Sequence, residues 1–179
     1  MRALLIAGST RRDSTNNAVL RTAAELLPPG VEAVLHEELD ALPHFNPDHD
    51  QDPLPPQVTA LREAIAEADL VIMCTPEYAG TLPGSFKNLL DWTVGGSEIH
   101  GKPTTWINIA APGRGGGADA TLRTVLGYVG AALLPSSGRR TPVGRDIIGP
   151  PGIITDDAVR QDLAELLAAL TDEAKSLRT

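Results

Sequence analysis

Short apolar runs and helical stretches alternate along this chain from end to end, and few folds accept that alternation. Residues 2–7, RALLIA, stop at Gly8 and read as a first strand. Asn16 to Leu27 reads as a helix, with Ser14 or Thr15 as N-cap and Pro28-Pro29-Gly30 as its stop. VEAVLH, residues 31–36, makes a second strand. Val58, Leu61, Ile65 and Ala68 then fall at helical spacing. Asp69 opens DLVIMCTP, a third strand too apolar for a wet face, as in a sheet covered by helices on both sides. The order is completed by a helix over SFKNLLDWTV, a fourth strand over residues 103–110 and a glycine-rich loop, PGRGGGAD. A helix over ATLRTVLGYVGA, a short fifth strand around AALLP and an amphipathic closing helix N-capped near Thr155 follow.

Repeated strand–helix units imply a parallel sheet with right-handed crossovers, a doubly wound α/β fold. A chain of 179 residues suits one such domain, spanning 1–179. Ligands of these sheets bind beyond the carboxyl ends of the strands, where strand order reverses. The segments richest in Gly, Ser and Pro follow strands one, three and four, so all three project from the same edge and predict a site there.

Charge narrows the partners. With 15 Lys+Arg against 23 Asp+Glu the net charge is -8, which argues against nucleic acid or an anionic membrane surface as the partner. No apolar run approaches the roughly 18 residues of a membrane span, and the apolar part of MRALLIAGST is too short for a signal peptide. Cys74 is the lone cysteine, so no internal disulfide forms and a cytoplasmic location is the expectation. At the end of LVIMC it reads as a small buried hydrophobe, with no cation nearby to make it a redox thiol. Residues 37–55 form an acidic, Pro-rich stretch without periodicity, long enough to predict a functional loop or an interface element. His36, His44 and His49 lie near Asp48, Asp50 and Asp52, but their spacing matches no metal-ligand motif, and a solvated acidic loop is expected there.

The first loop, Gly8 to Asn16, ends on a helix N-terminus, where free amides and the helix dipole attract phosphate. Ser9, Ser14, Thr15 and Asn16 add polar donors and Arg11 a charged fork; an ordinary capped loop with solvated arginines has the same residues. The loop lacks the lysine of a nucleoside-triphosphate cradle. Gly113 to Ala118 fits G-x-G-x-x-A, yet no carboxylate for a ribose follows at about 20 residues, where PSSGRRTP stands instead. Arg139 and Arg140 could meet a 2′-phosphate there. A backbone that closely approaches a flat ligand explains the same glycines.

The second loop, Thr75 to Gly84, is rigid with proline and glycine and runs straight into Ser85-Phe86-Lys87-Asn88-Leu89-Leu90-Asp91-Trp92. Here the chain resembles the NADPH-dependent FMN reductases and the related quinone, azo-dye and chromate reductases. Gly8-Ser9, Arg11, Ser14 and Asn16 match their first loop, Pro76 to Trp92 their P-E-Y segment, and Ala110 to Gly117 their glycine-rich loop. Ala79 stands where the family usually has Asn, Phe86 where it has Leu, and Ala111 where Ser is common. The first and third departures remove side-chain hydrogen bonds beside the flavin.

The resemblance implies a flavodoxin-like, five-stranded parallel sheet of order 2-1-3-4-5 that binds FMN and uses NADPH or NADH. It implies that Ser9, Arg11, Ser14, Thr15 and Asn16 hold the FMN phosphate. Pro76, Glu77, Tyr78, Ala79 and Gly80 would line the isoalloxazine, with Ala111, Pro112 and Gly113 on its other border. Lys87, Asn88, Asp91 and Trp92 would serve capping, packing or subunit contact. A homodimer or tetramer, a small-molecule oxidant and ping-pong transfer through the flavin go with the family. No Ser–His–Asp or Cys–His set is spaced for catalysis, and a flavin enzyme needs none. The alternative from another class is an electron carrier or regulatory flavoprotein that does not itself oxidise NAD(P)H.

Overall fold

The strands that read most plainly are the ones buried on both faces. In the computed structural model, which describes residues 1–177, β1 (Arg2–Ala7) is buried at every position after Arg2 and β3 (Leu70–Cys74) throughout. With β2 (Glu32–His36), β4 (Pro103–Trp106) and β5 (Ala132–Leu133) they form one parallel sheet in the order β2-β1-β3-β4-β5. This is the flavodoxin-like order. The connection that leaves β2 crosses to the far side of β1, so the order reverses between β1 and β3.

Side chains alternate across the sheet with period two, and each face has its own helices. Leu5, Ala7 and Ile72 pack with Val19 and Leu20 of α1 (Thr15–Leu26) and Leu163 and Leu167 of α5 (Asp157–Ser176). Leu4, Ile6, Val71 and Met73 face Leu61 of α2 (Pro56–Glu67), Leu89 of α3 (Gly84–Asp91) and Leu122 of α4 (Gly116–Tyr128). Among the described residues no helix is long and apolar enough to cross a membrane.

The structure departs from the sequence reading at four places. The ladder of β4 ends at Trp106 rather than residue 110, and Asn108 and Ile109 pair instead with residues 139–143, as in Thr141 N–H to Asn108 O at 2.9 Å. Helix α4 starts at Gly116, so Gly116 to Asp119 form its first turn rather than the end of a loop. The cap of α5 is Asp156, whose side chain accepts from Val159 N–H at 3.0 Å, while Thr155 donates to Ile147 O. An unforeseen hairpin, β6 (Ile148–Gly149) with β7 (Ile153–Ile154), packs on α1, where Ile154 N–H donates to Thr22 Oγ1 at 2.9 Å.

Residues 37–55 contain two single-turn 3₁₀ segments, Leu39–Ala41 and Pro47–His49, and they are anchored. Leu39 is buried in the core. Asn88 accepts from Phe45 N–H at 2.7 Å and donates to Pro43 O, and Trp92 Nε1–H donates to that same oxygen at 2.8 Å. The buried Arg62 pairs with Asp50 at 2.6 Å and donates to Trp92 O. Asn88 and Trp92 of the resemblance motif therefore act by packing and by tethering this loop. Lys87 and Asp91 form an i,i+4 ion pair along α3.

Candidate active site

The three loops meet at the carboxyl edge of the sheet around a cavity of about 570 Å³, a size that suits a small-molecule or cofactor site. Thr15 and Asn16 line it from the start of α1, Thr75, Pro76 and Glu77 from the end of β3, and residues 106–111 from the end of β4. The first turn of α1 carries no acidic side chain, so its positive dipole end stays open to an anion. Ser14 is the N-cap: it accepts from Asn17 N–H at 3.1 Å and donates to Asn17 Oδ1 at 2.6 Å. Cys74 lies beneath, its thiol donating to Asn16 Oδ1 at 3.3 Å. Complete burial pushes that thiol far up from its ordinary range and keeps it protonated, which fits a packing residue rather than a redox thiol.

Ser9 is buried and accepts from Arg11 N–H at 3.3 Å. It faces a second cavity, of about 620 Å³, shared with Arg12 and His36 on the β2 side of the loop. Burial lowers the pKa of His36, against the opposing pull of Glu38. Among the described residues, no group of three or more His, Cys, Asp or Glu is placed to hold a metal ion. Arg11 is exposed, and among the described residues its guanidinium meets no carboxylate.

The second loop closes in a two-residue turn, with Tyr78 and Thr81 exchanging both backbone bonds at 2.9 and 3.1 Å. Its central residues Ala79 and Gly80 have φ of 50 and 76°, the type I′ pattern that favours Asn-Gly. Ala79 therefore holds a left-handed conformation without the side chain that eases it, and the Asn usual in the family reads as a backbone requirement as much as a ligand contact. Glu77 is more than a loop carboxylate in water. Its Oε2 accepts from Gly117 N–H at 2.7 Å and Ala118 N–H at 3.0 Å, so it caps α4 from a loop 40 residues away.

The glycine-rich third loop is shaped from within. A Cβ on Gly115 would meet Ala110 Cβ at 2.7 Å and Asn108 Oδ1 at 2.9 Å, and one on Gly117 would collide with the carbonyl of Gly80. Gly115 thus lets the loop fold onto Asn108 and Ala110, and Gly117 lets it pack on the second loop. Asp119 accepts from Trp106 Nε1–H at 2.7 Å and Asn108 Nδ2–H at 2.6 Å. Arg139 pairs with Asp162, and Arg140 donates to backbone carbonyls of the third loop, so neither stands ready for a 2′-phosphate.

Of the residues anticipated from sequence, Thr15, Asn16, Pro76, Glu77 and Ala111 line the cavity at the carboxyl edge of the sheet. Tyr78, Ala79 and Gly80 form the exposed turn beside it, and Pro112 and Gly113 the exposed tip of the third loop. Ser9, Arg11 and Ser14 belong to the first loop but not to that lining. Trp106, Asn108, Asp119 and Val143 line the cavity unforeseen. Only Trp106, an aromatic at a strand's carboxyl end, carried a local sign of this.

Residues 1–139 match the model of the NADPH-dependent FMN reductase family. The chain belongs to this family. It is 32% identical to an NAD(P)H-dependent FMN reductase of Pseudomonas aeruginosa, covering 99% of this chain and 97% of that one. A quinone reductase of Escherichia coli is 32% identical over 75% of this chain and 73% of its own. Among solved structures, FerB, a flavoenzyme NAD(P)H:(acceptor) oxidoreductase of Paracoccus denitrificans, superposes with a TM-score of 0.82 at 28% identity, covering 98% of this chain and 97% of FerB. The protein is thus an oxidoreductase of the FMN reductase family, and its donor set fits FMN. A helix N-terminus open to phosphate adjoins walls of backbone, Pro76, Ile109 and Val143 that suit a flat ring.

Proposed function

We propose that the protein oxidises NADH or NADPH and passes the electrons through bound FMN to a flavin, quinone or similar small oxidant. The convergence of three loops on one cavity at the reversal point of the sheet carries this reading. In it, Ser9, Arg11, Ser14, Thr15 and Asn16 hold the phosphate. Pro76 to Gly80 and Ala111 to Gly113 border the ring. FMN supplies the acceptance and release of hydride, and the chain supplies binding and orientation, with no side chain assigned a catalytic role. Ser14 keeps the first turn of α1 in place, and Glu77 ties the second loop to α4.

One open cavity serving both substrates in turn predicts double-displacement kinetics. Initial rates with NADPH and a benzoquinone varied together should give parallel double-reciprocal lines. Intersecting lines would contradict a shared site. A holoprotein that binds FMN but oxidises neither nicotinamide would be an electron carrier or regulatory flavoprotein instead.

The same reading makes the protein a cytoplasmic homodimer or tetramer. A single buried cysteine and the use of NAD(P)H go with that compartment. Val94, just beyond α3, is 63% exposed and Tyr128 90% exposed, apolar surface of the kind a subunit contact covers. Light scattering at micromolar concentration should return at least twice the 18.8 kDa chain mass, and a monomer mass would refute the assembly.

A further inference from the structure

The family match ends at Arg139, and the next residue holds the loop that borders the cavity. Arg140 Nη1 donates to the carbonyl oxygens of Ala110 at 2.9 Å, Ala111 at 3.1 Å and Arg114 at 2.7 Å. One charged nitrogen thus gathers three carbonyls on one side of the loop, in bonds stronger than neutral ones. Residues 139–143 are fixed in turn by pairing with Asn108 and Ile109, so the guanidinium acts from a rigid base.

A trans peptide is planar, and its N–H points opposite its C=O. Turning the Ala110 and Arg114 carbonyls towards Arg140 therefore turns the amides of Ala111 and Gly115 away from it. Neither amide has an acceptor among the described residues, and Gly115 is buried. Ala110, Ala111, Arg114 and Gly115 all line the cavity. Buried amides rarely go unpaired, so that of Gly115 is a donor awaiting a ligand's acceptor, and the exposed Ala111 offers its amide at the rim of the same cavity.

We propose that Arg140 is a positioning residue that aims the Ala111 and Gly115 amides at acceptor atoms of the flavin ring. The proposal rests on the reading of the cavity as the FMN site. It assigns to a residue beyond the family match the grip on the ring, as distinct from the phosphate.

The test is fluorescence titration of FMN and riboflavin on the native protein, Arg140→Met and Arg140→Lys, with melting temperatures measured alongside. Arg140→Met should weaken both flavins by the same factor, about tenfold, the scale of one lost hydrogen bond. Arg140→Lys keeps the charge and three donors on one nitrogen, and should recover most of that loss even if the methionine variant folds poorly. Native affinity for both flavins in a folded Arg140→Met would overturn the proposal, even with a lowered melting temperature. A loss confined to FMN would also overturn it, making Arg140 a phosphate ligand. Failure of the native protein to bind FMN would instead overturn the reading on which the proposal rests.

Discussion

Arg11→Ala is expected to weaken FMN binding by about 10- to 150-fold while leaving riboflavin almost untouched. The loop that carries Arg11 ends on the N-terminus of α1, whose first turn has no carboxylate to compete for the dipole. The guanidinium is exposed and, among the described residues, unpaired with any acid, so it can turn to a phosphate without breaking an ion pair. A charge-assisted hydrogen bond to that phosphate contributes roughly 1.5–3 kcal/mol, which sets the fold-change. Riboflavin lacks the phosphate, and raised salt should weaken FMN in the native protein more than in the variant. Paired titrations of both flavins read this directly. Equal losses for the two would signal a general disturbance of the loop, and no loss for either would retire Arg11 as a ligand.

Asp50→Ala should cost about 3–5 kcal/mol of stability, or roughly 6–20 °C in melting temperature for a chain of this size. Arg62 and Asp50 are both largely buried, with side chains 10% and 9% exposed. Removing the carboxylate leaves a buried guanidinium that keeps its hydrogen bonds to the Trp92 carbonyl but loses its counter-charge. It also frees the stretch that Arg62 ties to the end of α3. Adding Arg62→Met to Asp50→Ala should recover part of the loss, because the uncompensated charge goes too. Thermal unfolding of the single and double variants decides it. A single variant within about 2 °C of native would mean that water reaches Arg62 and the pair is worth no more than a surface bridge.

The legible part of the fold is the part decided by nearest neighbours in sequence. β1 and β3 read clearly because both faces are buried, and the cap of α1 could be narrowed to Ser14 or Thr15 because a cap bonds only three residues on, as Ser14 does. The start of α4 was illegible for a physical reason: its cap is Glu77, 40 residues earlier, so the glycines looked like loop. The β6–β7 hairpin has strands of two residues each, too short for any alternation to show. At the site, composition pointed to the three loops but could not say which residues face the cavity. Asn108 and Asp119 line it and Arg140 braces the loop at its border through hydrogen bonds spanning 11 to 30 residues, and no local pattern announces them. The sequence suggests Pro76 to Gly80 as a ring border but carries no sign of the link to α4 through Glu77.

The central claim is that bound FMN takes electrons directly from a nicotinamide. Purified protein loaded with FMN and freed of excess flavin should be yellow, and anaerobic addition of NADPH or NADH should bleach its visible flavin bands, which a quinone then restores. A protein that retains no FMN, or whose bands survive both nicotinamides, would contradict the account.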